Sequence, residues 1–182
     1  MSEWRECKLG EMIKTNVSSI TSSYLFNEIL YLDTGSITKG KIEELQAISI
    51  SVAPSRAKRL VKENDIIYST VRPIQRHYGF IKNPQENLVV STGFAVITSN
   101  EKLLNPNFLY YYLSSDSTVE ELDVIAEAST STYPSLKPSD IEKLQILFPA
   151  DINEQKAIAA VLSSLDDKIA VLCSNRTKLI NS

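Results

Sequence analysis

The chain contains one histidine, His77, and two cysteines, Cys7 and Cys173, so its stock of general bases, nucleophiles and soft metal ligands is small. His77 stands in Arg76-His77-Tyr78, between a cation and an aromatic ring, which suits a surface or nucleic-acid contact better than proton transfer. No serine sits in a Gly-x-Ser-x-Gly elbow, and neither Gly-x-x-x-x-Gly-Lys-Ser/Thr nor Gly-x-Gly-x-x-Gly occurs. The two cysteines lie near opposite ends of the chain. With a single histidine they cannot complete a conventional zinc site, and they suggest no disulfide framework. Asp140-Ile141-Glu142-Lys143 pairs carboxylates with a lysine, but its spacing fits a helix cap after Pro138-Ser139 rather than a metal-dependent nuclease. Asn105-Pro106-Asn107-Phe108 resembles an amino-methyltransferase motif, yet it lacks the second proline and has no glycine-rich partner. Neither a metal nor a cofactor is expected. An enzyme built on His77 is the weakest reading the residues allow.

Arginine and lysine are the functional stock that remains. Net charge is −3, which excludes a uniformly basic nucleic-acid binder. The distribution is uneven: residues 1–38 carry −2, residues 39–82 carry +5 and residues 83–182 carry −6. The basic stretch holds Lys39, Lys41, Arg56, Lys58, Arg59, Lys62, Arg72, Arg76 and Lys82. A basic centre in an acidic chain fits a phosphate-binding face, because each neutralised phosphate releases condensed counterions. A solvated surface whose charges happen to cluster would look the same at this level.

These side chains must be carried by something. At 182 residues, 43% hydrophobic and 23% charged, the chain has room for one ordinary soluble domain and a short appendage. The acidic N-terminus leads into no apolar run and no stretch approaches bilayer length, so neither a secretory signal nor a membrane span is expected, and the setting reads as cytoplasmic. The first sixty residues read as turns and short strands. Residues 28–32 are strand-like, and 37–42 form a second arm after the Asp33–Ser36 turn. Residues 65–72 are rich in β-branched and aromatic side chains and end at Pro73. Residues 88–97 form another such run, in which Gly93 marks a bulge or a close approach. Pro106 starts a short buried helix over 107–113, residues 128–135 are a hydroxyl-rich loop, and 145–149 is a strand.

The C-terminal segment has the most regular pattern. Asp151 and Glu154 resemble a capping box. Beyond them Ile158, Leu162, Leu165, Ile169, Leu172, Arg176 and Leu179 recur at alternating steps of four and three. That is a narrow heptad seam, and it favours a helical partner over simple packing on the chain's own domain. The expected fold is therefore α+β: a mixed-sheet domain with short helices over 1–149, followed by a long coiled-coil-type helix over 150–182.

Several segments, in order, resemble the specificity subunit of type I restriction–modification systems. They are Trp4…Lys8-Leu9-Gly10-Glu11, Asn64 through Pro73, Val89-Val90-Ser91-Thr92-Gly93-Phe94 and Pro106 through Leu113. The most specific is Tyr133-Pro134-Ser135-Leu136-Lys137 continuing through Pro149, Glu154-Gln155 and Leu165-Asp166-Asp167-Lys168-Ile169. The resemblance implies a target recognition domain with no catalysis of its own, reading one half of a bipartite DNA site. Its partners would be double-stranded DNA and the methyltransferase and restriction subunits. The family pattern has two such domains and two antiparallel helices, whereas this chain has the pattern of one of each. A half-subunit, a truncated product and an excised fragment are all open readings.

Under that resemblance, Arg72, Arg76 and His77 become candidates for reading bases, since an arginine fork can bond guanine O6 and N7 together. Lys39, Lys41, Arg56, Lys58 and Arg59 become candidates for phosphate contacts. The loop residues Ser131, Thr132 and Tyr133 could add hydroxyl contacts. Ile158, Leu162, Leu165, Ile169, Leu172 and Leu179 would form a dimerisation stripe that pairs two copies. A non-catalytic protein–protein adaptor, with the heptad helix as its function, is the rival from a different class.

Overall fold

A computed structural model describes residues 3–129 and 132–180, with side chains described as far as Cys173. Among the described residues twelve strands and four α-helices follow in chain order. They are β1 (Trp4–Lys8), β2 (Ile13–Thr15), β3 (Glu28–Leu32), β4 (Ile37–Thr38), β5 (Lys41–Ile42), β6 (Gln46–Ser49), β7 (Ala57–Leu60), β8 (Ile66–Ser69), β9 (Tyr78–Phe80), β10 (Leu88–Ser91) and β11 (Phe94–Ser99), then α1 (Pro106–Ser114), α2 (Asp116–Glu127), α3 (Pro138–Glu142), β12 (Gln145–Pro149) and α4 (Ile152–Ile180). The mixed α+β class read from the sequence is the class observed.

Two four-stranded sheets carry the domain, ordered β6-β3-β10-β7 and β2-β11-β8-β9. The first is mixed, with β3 and β10 parallel, and the second is antiparallel throughout. β8 and β10 are buried along their whole length, which explains why both read as unbroken apolar runs rather than alternating ones. Alternation sorts their side chains between layers. Ile67, Phe94 and Val96 meet Leu32 and Val90 between the two sheets. Ile66, Tyr68, Ala95 and Ile97 point the other way, into a core completed by Leu109, Val119, Leu122 and Ile146. Ile29, Tyr31 and Val89 face a third cluster under residues 20–24 and 48–53. β1 and β12 form a separate antiparallel ribbon that ties the start of the chain to the approach to α4.

Three local expectations are corrected. Residues 37–42 do not form an arm against residues 28–32: they fold into their own β4–β5 hairpin, while β3 pairs with β6 and β10. The run 88–97 is two strands in different sheets, joined by a tight turn at Thr92-Gly93. The register shift lies earlier, between Val90 and Ser91, and Gly93 is a point of close approach where a Cβ would come within 2.8 Å of the Thr34 methyl. Finally, α2 lies in a stretch for which the sequence pattern suggested no element. Its start is capped by Ser115, whose hydroxyl accepts from the Thr118 amide, and it buries Thr118, Val119, Leu122 and Ala126.

α4 begins where the Asp151 carboxylate accepts from the Asn153 amide at 2.9 Å. Its first turns are part of the domain core. Gln155 is fully buried and bonds three backbone groups: it accepts from the Asn105 amide at 2.7 Å and donates to the carbonyls of Leu103 and Pro149 at 3.1 and 2.8 Å. Ala159 is buried beside it and Ile158 packs on the same core. The helix continues alongside α1 and is about 44 Å long at 1.5 Å per residue.

Candidate nucleic-acid interface

β8 stops at Ser69, and the chain from Thr70 to His77 gathers neighbours from three other segments. The Thr70 amide and hydroxyl both donate to the Gly93 carbonyl at 2.9 Å, and the Thr92 amide donates to Arg56 O at 2.8 Å. On the opposite side, Leu136 N donates to Thr70 O at 2.7 Å, and the Arg72 amide donates to Pro134 O at 3.1 Å. Farther along, the Lys39 amide donates to Arg76 O at 2.8 Å. Bonded backbone thus connects Arg56, the Thr92-Gly93 turn, residues 70–76 and Lys39, with residues 133–136 alongside. Lys39, Arg56, Arg72 and Arg76, scattered over nearly forty positions of sequence, are thereby linked through bonded backbone.

Their side chains differ in what they do there. Arg72 is exposed, and its guanidinium lies 5.7 Å from the ring centroid of Tyr133, itself 61% exposed. The stacking orients the arginine fork while leaving both groups at the surface. Arg76 is half-buried and engaged in an ion pair with the exposed Asp116. Its guanidinium is 2.7 Å from the Asp116 carboxylate, and hydrogen bonds to Asp116 and then Tyr78 raise its pKa further. His77 is half-buried, and its Nδ1 lies 2.6 Å from the Ile37 carbonyl. A carbonyl only accepts, so Nδ1 carries the proton and that edge of the ring is committed to β4. Arg76 and His77 thus differ from Arg72: the first is paired with Asp116, and one ring edge of the second is bonded to Ile37.

The remaining candidates divide in the same way. Lys39, Lys41, Arg56 and Lys58 are exposed, Arg56 with a loose 3.7 Å contact to Asp33. Arg59 faces the other side of β7 from Lys58, donates to Ser19 Oγ at 3.4 Å and buries its Nε without a partner among the described residues. Thr132 is exposed, and Ser131 lies outside the described residues.

Left-handed backbone recurs here, as it does at Asn16, Asn64 and Asn83 elsewhere. Lys39, Arg72 and Arg76 have φ of 48°, 47° and 60°, and Gly40 has φ of 78°. Non-glycine residues held there signal a conformation imposed by their surroundings. Arg72 and Arg76 flank a single 3-10 turn at Pro73–Gln75, so the turn that begins at Pro73 is what re-aims the chain after β8.

On α4 the heptad positions separate. Ile158 packs on the domain core, whereas Leu162, Leu165, Ile169 and Leu172 are 36%, 49%, 57% and 67% exposed. Tyr111 donates to Asp166 at 3.0 Å and marks how far α1 accompanies the helix. The side chains of Arg176 and Leu179 lie outside those described. Among the described residues, no helix is long and apolar enough to cross a membrane.

The family model for the type I restriction modification DNA specificity domain matches residues 1–181. This chain belongs to that family. It is 33% identical over 169 residues to the Type I restriction enzyme HindI specificity subunit of Haemophilus influenzae, covering 93% of this chain and 36% of that one. It is 27% identical to the MjaIX specificity subunit of Methanocaldococcus jannaschii, covering 89% and 34%. One solved chain, from work on complex assembly and conformational transition of the type I R-M system, has a TM-score of 0.81 at 25% identity over 96% of this chain and 45% of its own. The HsdS subunit from Thermoanaerobacter tengcongensis gives 0.76 at 26% identity over 93% and 43%. The chain thus spans about a third of the curated specificity subunits it matches, a length equal to one α+β domain and one helix.

What the sequence reading missed in this specificity domain is α2. Its residues Asp116 and Asp123 bond Arg76 and the Ile74 amide, the latter at 3.1 Å. Ser115 followed by Thr118 and the buried spacing Val119, Leu122, Ala126 carried a helix signal, diluted by the charged side chains between them.

Proposed function

We propose that this chain is a DNA-reading module of a type I restriction–modification complex, acting in the cytoplasm without catalysis of its own and reading one half of a bipartite site. The observation that carries the reading is Arg72: an exposed arginine stacked on Tyr133, on a turn held rigid from three sides, in a chain of the DNA specificity family. Arg72 takes the base-reading role, where a bidentate contact discriminates one base pair. Lys39, Lys41, Arg56 and Lys58 are assigned to phosphates, and Thr132 and Tyr133 to polar contacts beside Arg72. Arg76 and His77 are reassigned from base contact to support of the turn, and Arg59 to support of the β7 edge. In this reading residues 1–149 form the recognition domain and 150–182 the helix that joins it to the rest of the assembly. A partner helix covers Leu162, Leu165, Ile169 and Leu172 in coiled-coil fashion, supplied by a second copy or by a larger specificity subunit, and the methyltransferase and restriction subunits assemble around it.

An electrophoretic shift on random 30-base-pair duplex over a series of salt concentrations tests the DNA reading. Phosphate contacts predict affinity that falls steeply and linearly on logarithmic axes as salt rises. The exposed stripe of α4 favours one alternative, an adaptor whose only ligand is another helix. No binding to duplex at low salt would leave that alternative standing and reject the proposal.

A further inference from the structure

α2 touches the turn of residues 72–76 at two places and the hydroxyl-rich loop at a third. The Asp116 carboxylate pairs with Arg76 at 2.7 Å. Asp123 lies seven residues, about two helical turns, farther along the same face, and its Oδ1 accepts from the Ile74 amide at 3.1 Å. Val119 and Ala126 continue that stripe and are buried. At the C-terminal end the Ala126 carbonyl accepts from the Ser135 amide at 3.2 Å, and Ser135 follows the Pro134 carbonyl that receives the Arg72 amide. One helix face therefore holds both sides of the Arg72–Tyr133 pair.

The turn needs such a hold. It places two non-glycine residues, Arg72 and Arg76, in the left-handed region, a conformation that persists only where neighbours over-determine it. Pro73 at its start lacks an amide, and the Gln75 and Arg76 amides are spent inside the turn on Arg72 O and Pro73 O. The Ile74 amide has no backbone acceptor among these bonds and is taken by a side chain from another element.

We infer that Asp123 and Asp116 are positioning residues for sequence discrimination: they fix the strained turn so that Arg72 meets the DNA in one orientation. The inference rests on the DNA-reading proposal above and extends it to residues that touch no ligand. A loosened turn would still bring a positive charge to the backbone, so phosphate binding survives. Selective contact with one base pair does not, because it needs the guanidinium plane fixed.

Two variants separate the hydrogen bond from the charge. Asp123→Asn and Asp123→Leu both remove one negative charge, but only the asparagine retains an acceptor for Ile74. The full chain is used to select its best-bound duplex from a random-sequence pool. Affinity for that duplex and for a scrambled duplex of the same composition is then measured for each protein, with amide hydrogen exchange at Ile74 as a readout independent of DNA. Asp123→Leu should speed Ile74 exchange at least tenfold and lose about tenfold or more of the selected-to-scrambled ratio, relative to Asp123→Asn. Affinity for the scrambled duplex should match between the two variants, and Asp123→Asn should keep the wild-type ratio within about threefold. Faster Ile74 exchange with an undiminished ratio overturns the positioning role while leaving the DNA reading intact. A wild-type chain that binds selected and scrambled duplexes equally overturns the DNA reading, and this inference with it.

Discussion

Two surfaces of this molecule solve opposite problems. Around Arg72 the backbone is fixed by bonds from three other segments, with left-handed residues held in place and an arginine oriented on a tyrosine. Along the outer part of α4 the backbone needs no outside support, since a helix bonds itself, but the exposure of four aliphatic side chains rises from 36% at Leu162 to 67% at Leu172. The first surface is preorganised for a polar ligand, where direction decides affinity. The second waits for apolar area, where burial alone decides it. Gln155 ties the root of α4 to the core through three backbone groups.

The largest effect expected from breaking this comparison is at the helix. Leu165→Asp puts a charge in the centre of the stripe and should raise the dissociation constant for self-association or helix pairing by two orders of magnitude or more. Burial of a leucine contributes about 1.5–3 kcal/mol, and a symmetric pair loses two. Light scattering over a concentration series checks this, and the melting temperature of the domain should hardly move. Next comes the joint. Gln155→Leu leaves the Asn105 amide and two carbonyls without partners in the core and should destabilise folding by about 2–4 kcal/mol, measured by urea unfolding. At the reading end, Arg72→Ala should lower affinity for a selected duplex by about 1–3 kcal/mol and relax preference at one base position. The smallest effect is at Lys58, where alanine should weaken all sequences alike and lower the salt slope by about 1. A Lys58 variant that instead changed sequence preference would show that the two classes of contact are wrongly divided.

The legible parts of the fold were those where one local rule acts alone. β12, α1 and the start of α4 followed from proline and cap signals together with a single apolar period. The 88–97 run could not be divided from sequence because both of its strands are buried on both faces. A turn between two sheets then looks like a flaw in one strand. At the site, residue type identified the arginines, but proximity came from pairings distant in sequence, such as Arg72 with Pro134 and Lys39 with Arg76. The distinction between Arg72 and Arg76 depends on Asp116, forty residues away from the latter, on a helix whose charged outer face hid its buried one. The heptad seam was legible as a pattern. That Ile158 belongs to the domain while Leu165 does not depends on where α1 and β12 end against the helix.

The central claim is that the Arg72 end reads sequence and does more than attract phosphate. Selection from a random-sequence duplex pool by the wild-type chain and by Arg72→Ala, at the same protein concentration and salt, tests it most directly. The account predicts that the wild type enriches a short defined motif and that Arg72→Ala loses preference at one base pair of it while retaining the rest. An identical motif from both proteins would contradict the assignment of Arg72, and no enrichment by the wild type would contradict sequence reading by this domain.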